Sequence, residues 1–304
     1  MSAVFPVDAP STSARASAPG AGKPSASAPG ASAGEPSAGA QEFLGDDAAT
    51  RPSVALRDAV VVLGSFPALS GCSLTVRPGE VVVLRGPNGS GKTTVLKVCA
   101  GLVPLTAGRV VILGRDLDKH TGRNRRAVRA EVGFLSHAGF LYDDLTVADN
   151  VRFAIRSSGG DPSSAMAALA RVGIDDRVAA LPVHACSAGQ RRRASLASVV
   201  ARAPKLWLLD EPHTGLDAES RDLLDDLIRS AAADGATVIL ASHDDDRAAA
   251  LATRTLHLAG GHVVHETMGT AVHASLDRDS HNHPSPPPNP QDPQDRSADW
   301  VVSS

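Results

Sequence analysis

Cysteine, long apolar runs and excess charge of one sign are all scarce in this sequence. Its three cysteines are an odd number without metal-ligand spacing, and each lies in an aliphatic or motif-like stretch. We therefore expect small buried thiols in a reducing compartment, and neither a disulfide nor a metal site, at Cys72, Cys99 and Cys186.

No apolar run approaches the roughly 20 residues that span a bilayer, because run 81–84 stops at Arg85 and run 206–209 stops at Asp210. The first residues lack a basic region followed by an apolar core, so we expect no secretory signal. The formal net charge of −3 gives no electrostatic reason to invoke nucleic acid as a partner. We expect a cytoplasmic protein that is peripheral at a membrane only where a partner holds it.

Composition changes along the 304 residues and divides the chain into three parts. Segment 1–50 is dominated by Ala, Ser, Pro and Gly, and segment 269–304 is rich in proline. Such segments cannot bury enough apolar surface to offset their ordering entropy, so both are predicted to be disordered tails. Segment 51–268 is rich in Val, Leu and Ala, which is enough for one domain with a sizeable core.

Within that domain, strand patterns alternate with helical ones, which predicts an α/β fold with a mainly parallel sheet. Segments 54–62 and 69–76 are β-branched and alternate, which favours an antiparallel β subdomain. Segment 139–202 has helical spacing and no convincing strand, so we predict an inserted α-helical subdomain there. Segments 254–258 and 262–265 flank two glycines, as in a closing hairpin.

A glycine-rich loop between the apolar run 81–84 and the predicted helix 92–102 fits the phosphate-binding pattern G-x-x-x-x-G-K-[ST]. In such a loop, backbone N–H groups converge on phosphate oxygens at a helix N-terminus. We expect Lys92 to reach the β- and γ-phosphates and the Thr93 hydroxyl to bind Mg²⁺. The whole loop reads Gly86-Pro87-Asn88-Gly89-Ser90-Gly91-Lys92-Thr93-Thr94.

Two carboxylates follow the second apolar run, at the end of a predicted parallel strand. We expect Asp210 to hold Mg²⁺, through water, and Glu211 to act as the general base toward the water that attacks the γ-phosphate. An acidic pair is often only a solvated turn. The neighbouring phosphate loop favours the catalytic interpretation.

The stretch Ser187-Ala188-Gly189-Gln190 resembles the signature motif of ABC ATPases. Ser187 would fit a helix N-cap, and with Gly189 and Gln190 it forms a second predicted anion site. The resemblance implies a P-loop NTPase of RecA-like fold that binds ATP and Mg²⁺. It also implies that two copies pack head to tail, with each signature motif completing the other copy's ATP site.

Two further positions fit the same family. Asp217 ends a stretch that resembles the family's D-loop, which implies a place at the dimer interface. His243 follows the predicted strand 237–241, as does the family's switch histidine, which contacts the γ-phosphate. The family works with a transmembrane permease, and segment 140–147 carries apolar side chains and the only tyrosine where such subunits form a groove for it. An ordinary contact within the subdomain is the alternative for that segment.

Two positions depart from the usual family pattern. His137 occupies the place of the Q-loop glutamine, and a neutral imidazole is a poorer Mg²⁺ ligand than an amide oxygen. We therefore expect His137 to contact the metal through water, or to contact the phosphate. The aromatic residue that commonly stacks on adenine aligns near Leu63, so Phe66 or Leu63 is expected to cover the base instead.

His137, the signature variant and segment 206–212 together resemble the ATP-binding subunit of haem exporters in cytochrome c maturation, the CcmA type. The alternatives are an ABC exporter ATPase for another substrate, a non-transport ABC ATPase and a catalytically silent subunit. Against a non-transport ATPase, the sequence lacks a coiled-coil insertion, zinc cysteines and a second phosphate loop. Against a silent subunit, it retains Lys92, Glu211 and His243.

Overall fold

The computed structural model describes residues 51–117, 122–136, 139–242 and 245–269. In these ranges the chain forms two β-sheets with helices around them. Apart from Gly269, the predicted tails 1–50 and 269–304 lie outside the described residues, so their disorder stays a prediction. The domain limits 51–268 and 139–202 also stay predictions.

The first sheet is antiparallel and has the strand order β2-β1-β4-β5. Its β1–β2 hairpin confirms the predicted antiparallel pair, with Leu63 opposite Phe66 across the two-residue turn Gly64-Ser65. Gly64 supplies the positive φ of 61° that this tight turn requires. The strands are β1 (Val54–Leu63), β2 (Phe66–Val76), β4 (Ala107–Ile112) and β5 (Arg115–Asp116).

The second sheet has six strands in the order β10-β9-β3-β8-β7-β6, and only β10 is antiparallel to its neighbour. This arrangement confirms the predicted mainly parallel sheet and its closing hairpin. The strands are β3 (Val81–Arg85), β6 (Val132–Leu135), β7 (Leu206–Asp210), β8 (Thr237–Ala241), β9 (Arg254–Ala259) and β10 (His262–Met268).

Helices connect the strands, and four of them, α3 to α6, occupy the segment predicted to be helical. None of the helices in the described ranges is long and apolar enough to cross a bilayer. The helices are α1 (Lys92–Cys99), α2 (Gly122–Glu131), α3 (Val147–Ser157), α4 (Ala165–Arg171), α5 (Asp176–Ala179), α6 (Ala188–Val200), α7 (Ala218–Ala233) and α8 (Asp245–Leu251), with 3₁₀ turns at Pro162–Ser164 and Val183–Ala185.

The parallel sheet separates two hydrophobic cores. Side chains alternate across a strand, so neighbouring residues of β7 face opposite ways: Leu208 packs toward the antiparallel sheet and α1, and Leu209 packs toward the helices α3 to α7. Both are fully buried, as expected for a parallel strand covered on both faces. Because β3 and β7 both run parallel to β8, their carboxyl ends, at Arg85 and Asp210, lie at the same edge of the sheet.

Candidate functional site

The glycine-rich loop lies where the sequence predicts it, between the end of β3 and the first turn of α1. Gly86 and Gly91 are both required by close approach of the backbone. A Cβ on Gly86 would lie 2.1 Å from the carbonyl oxygen of Leu258, and a Cβ on Gly91 would lie 2.9 Å from that of Ala68. Their φ angles of 142° and 104° also disfavour any side chain. The loop is therefore clamped between β2 and β9.

Lys92 folds back over this loop. Its Nζ donates to the carbonyl oxygens of Gly86, at 2.7 Å, and Pro87, at 3.0 Å, and the residue is only 7% exposed. The helix N-terminus is free for a ligand, since Gly91 is its N-cap and no side chain caps it. Ser90 Oγ is buried without a hydrogen-bond partner among the described residues. The loop thus offers an ammonium group, an uncapped helix end and an unsatisfied hydroxyl.

The structure brings Thr93 and Asp210 into contact although 117 residues separate them in the chain. The Thr93 hydroxyl lies 3.1 Å from Oδ1 and 3.0 Å from Oδ2 of Asp210, whose carboxylate is buried at the end of β7. Hydroxyl and carboxylate oxygens are the ligands that Mg²⁺ takes in phosphate sites. The donor set beside the loop therefore fits the metal predicted from the sequence.

Glu211 follows directly and adopts a left-handed backbone with φ of 50°, which is uncommon for a residue with a side chain. Its N–H donates to the carbonyl oxygen of Ala241 in β8 at 2.9 Å, which continues the pairing of β7 with β8. Its own carbonyl oxygen accepts from Thr214 N–H at 3.2 Å. A tight turn, 211–214, therefore begins at the acidic pair, and strain of this kind persists only where surrounding contacts hold it.

Arg192 supplies such contacts, and sequence reasoning missed it. This buried arginine of α6 donates to the carbonyl oxygens of Ser136 at 2.6 Å, Asp210 at 2.9 Å and Glu211 at 2.5 Å, and also to that of Pro212. Burial lowers the pKa of Arg192, while the Asp210 and Glu211 carboxylates act the other way. One guanidinium thus joins α6, the end of β6 and the end of β7.

One cleft of about 880 Å³ is lined by the glycine-rich loop, by the two acidic residues after β7 and by apolar side chains. This volume is within the size range of small-molecule sites. Its apolar lining includes Leu63, which is 49% exposed, Phe66, which is 80% exposed, and Phe140, which is 67% exposed. Its polar lining includes Asn88 to Thr94, Ser136, Asp210 and Glu211. The cleft therefore combines polar groups that suit phosphates with apolar side chains that suit a base.

The predicted signature residues lie elsewhere. Ser187 is the N-cap of α6 and forms a capping box with Gln190: the Ser187 Oγ accepts from Gln190 N–H at 3.2 Å, and Gln190 Oε1 accepts from Ser187 N–H at 2.8 Å. Gly189 is half-buried next to the carbonyl oxygen of Gly215. None of the three lines the phosphate cleft of its own chain.

Asp217 is the exposed N-cap of α7 and accepts from Ser220 N–H at 2.9 Å. Hydrogen bonding by Ser220 holds the pKa of the Asp217 carboxyl below its usual range. The predicted ligands His137 and His243 lie outside the described residues.

Known proteins match this chain over the same region. A family model described as ABC transporter matches residues 69–214. The cytochrome c biogenesis ATP-binding export protein CcmA of Ruegeria sp. (strain TM1040) is 39% identical over 193 residues, which cover 63% of this chain and 85% of that protein. The sulfate/thiosulfate import ATP-binding protein CysA 2 of Chromobacterium violaceum is 35% identical, covering 68% of this chain and 56% of that protein.

Among solved structures, the dimeric post-hydrolysis state of the ATP-binding cassette MJ0796 bound to ADP and Pi is 27% identical, with a TM-score of 0.66. It covers 71% of this chain and 98% of that chain. Residues 69–214, which the family model matches, include β3, the glycine-rich loop and the acidic end of β7.

Proposed function

Because this chain belongs to the family of ABC transporter ATP-binding proteins and is an ATP-hydrolysing transporter subunit, we propose that it drives the export of haem in cytochrome c biogenesis. Relatives named as cytochrome c biogenesis export proteins are 35% to 39% identical to it. The histidine at 137, the Ser-Ala-Gly-Gln signature and segment 206–212 support the same assignment. The ATPase part of the proposal is carried by one observation, the contact between Thr93 and Asp210 beside the phosphate loop.

In the proposed site, ATP lies along the cleft with its base toward Phe66 and Leu63. The N–H groups of loop 86–91 and the first turn of α1 bind the phosphate oxygens, and Thr94 closes that turn. The Lys92 Nζ exchanges its carbonyl acceptors for the β- and γ-phosphates. Thr93 and Asp210 would hold Mg²⁺, and His137 would contact it through water. The ion would supply positive charge that offsets the charge of the phosphates.

Glu211 orients the attacking water and accepts its proton, while His243 contacts the γ-phosphate. The backbone of Glu211 is left-handed, and Arg192 binds the carbonyl oxygens of Asp210 and Glu211 at this position. General base catalysis by a positioned carboxylate contributes about 10²- to 10⁴-fold. Replacing the Glu211 carboxylate by an amide should therefore abolish nearly all ATP turnover.

The protein works as a homodimer whose copies pack head to tail. Each cleft is open on its own, and Ser187, Gly189 and Gln190 of a second copy would close it over the γ-phosphate. Asp217 lies exposed near the signature helix and would line the interface. A solved relative, the cassette MJ0796, is described as dimeric, which supports this arrangement.

A transmembrane permease is the proposed second partner, and it holds the protein at the cytoplasmic side of the membrane. Phe140, Tyr142 and Phe153 expose 67%, 55% and 50% of their surface in one apolar patch. Tyr142 and Phe153 pack edge to face with centroids 5.4 Å apart. An exposed aromatic patch of this kind marks a docking surface for a partner. Phe140 also lines the nucleotide cleft, so docking there would reach the nucleotide site.

Transport of another cargo is the second candidate, and it is motivated by relatives that are named as import proteins. An import protein for sulfate/thiosulfate is 35% identical and one for Fe³⁺ ions is 33% identical, so the ATPase chain alone discriminates cargo weakly. A permease chooses the cargo in the proposed assembly.

To test the proposal, the chain is reconstituted with the permease encoded beside it, and ATP hydrolysis is measured with and without haem. Wild type and Glu211→Gln are compared, and Asp226→Asn, on an exposed face of α7, is the matched control. Haem-stimulated turnover that Glu211→Gln abolishes is the expected result. ATP turnover that depends on Glu211 but does not respond to haem would contradict haem as the cargo. Turnover that persists in Glu211→Gln would contradict the assignment of Glu211 as general base.

A further inference from the structure

A buried histidine lies two residues after Glu211 in a network that the proposed chemistry does not use. The His213 side chain is 5% exposed, and its Nε2 lies 2.8 Å from Oδ1 of Asp225, whose side chain is 7% exposed. Because a carboxylate only accepts, Nε2 carries the proton of this hydrogen bond. The network therefore fixes the ring's orientation and the tautomer.

Asp225 has a second partner on another helix. Its Oδ2 accepts from Arg247 of α8 at 2.5 Å, and the same Arg247 nitrogen lies 2.9 Å from Oδ1 of Asp222. One carboxylate of α7 thus receives a bond from the turn that follows β7 and a bond from the helix that follows β8. Hydrogen bonds in which one group is charged are short and strong, and burial strengthens them further.

The turn that His213 anchors is the strained one. His213 is the third residue of the turn that begins at Glu211, where Thr214 N–H bonds to the Glu211 carbonyl oxygen. Arg192 holds this turn from the side of α6, through the carbonyl oxygens of Asp210 and Glu211. His213 holds the same turn from the side of α7, through its hydrogen bond to Asp225.

We infer that His213 is a positioning residue for ATP hydrolysis, which keeps the Glu211 carboxylate aimed at the attacking water by anchoring the 211–214 turn to Asp225. The inference rests on the role proposed for Glu211. Misplacement of a reacting group by about 1 Å can cost about 100-fold in rate without loss of ground-state binding. The network therefore affects kcat and leaves nucleotide affinity unchanged.

The test compares His213→Leu, which removes the hydrogen bond, with His213→Gln, whose side-chain amide can replace the Nε2 donor. Asp226→Asn, one position beyond Asp225 on the exposed face of α7, is the control. For the full-length chain we measure kcat for ATP, the dissociation constant of a fluorescent ATP analogue, and the melting temperature. We expect His213→Leu to lose at least about 10-fold in kcat with affinity within about 3-fold of wild type, and His213→Gln to recover most of the loss.

Wild-type kcat in His213→Leu would overturn the inference. Equal losses in the Leu and Gln variants would also overturn it, because ring packing and not the hydrogen bond would then matter. So would a loss of affinity at unchanged kcat. If His213→Leu does not fold, Asp225→Ala takes its place, since it removes the acceptor of the same hydrogen bond and should cause the same loss of kcat. Glu211→Gln, measured in parallel, distinguishes failure of this inference from failure of the catalytic role proposed for Glu211. If Glu211→Gln still hydrolyses ATP, it is the role of Glu211 that is wrong.

Discussion

Substitution of Arg192 by Met should destabilise the protein by about 3 kcal/mol. The guanidinium makes three bonds of 2.5 to 2.9 Å, to the carbonyl oxygens of Ser136, Asp210 and Glu211. A net contribution of about 1 kcal/mol for each gives that total. Methionine has a similar length and is apolar, so little cavity forms and the lost bonds dominate.

Urea unfolding measures this loss. With a denaturant dependence of about 2–3 kcal/mol per molar for a domain of this size, the midpoint should fall by about 1 M. Arg193→Met is the matched control, because the next residue makes one exposed bond, to Gly173, and its loss should cost under about 1 kcal/mol. If Arg192→Met unfolds at the wild-type midpoint, the carbonyl bonds do not hold the end of β7, and the reasoning is refuted.

Three more predictions follow from the same geometry. Gly91→Ala should lower the free energy of unfolding, measured in urea, by about 2 kcal/mol, because its Cβ would lie 2.8 Å from a Leu69 methyl group and its φ is 104°. A Cβ at Gly89 would meet nothing within 4 Å, so Gly89→Ala should lower it less. In calorimetry, Thr93→Val should bind ATP with wild-type affinity in EDTA, but the increase in ATP affinity that Mg²⁺ produces should be at least about 10-fold smaller than in wild type. Burial raises the pKa of Cys72 to about 11 and raises that of Cys99 further, so a thiol reagent at pH 8 should react with the cysteines only in urea.

Each of these has a contradicting outcome. Equal costs at Gly91 and Gly89 would mean that the clamp on the loop is unimportant. A full Mg²⁺ response in Thr93→Val would remove the hydroxyl from the metal site. Rapid reaction of the native thiols at pH 8 would show that the core opens far more readily than its packing implies, since thiolate is the reactive form.

Sequence patterns were enough to predict the elements that carry the site. The apolar run before Arg85 and the glycines after it indicate a buried strand that ends in a phosphate loop, and both are present. The four-residue strand β6 could not be predicted, because Gly133 interrupts its apolar pattern. The reason for that glycine is tertiary: a Cβ there would lie 2.6 Å from Pro204 and 2.7 Å from Val199.

The contacts between distant segments were likewise invisible in the sequence. Three consecutive arginines follow Gln190, and only the rotation of α6 decides that Arg192 is buried while Arg191 is exposed. His213 lies in the stretch before Asp217 that resembles the D-loop, and that pattern gives no indication of its partner Asp225 in α7. Local patterns predict elements, whereas burial of a polar group depends on what the fold brings to it.

The two cores on opposite faces of the parallel sheet have a consequence for how substitutions combine. Leu208 and Leu209 are adjacent in the chain, but each packs into a separate core. Energetic additivity depends on shared contacts, so truncations at this adjacent pair should add. Leu209 and Leu240 lie far apart along the chain but in the same core, so double truncations there should deviate from the sum.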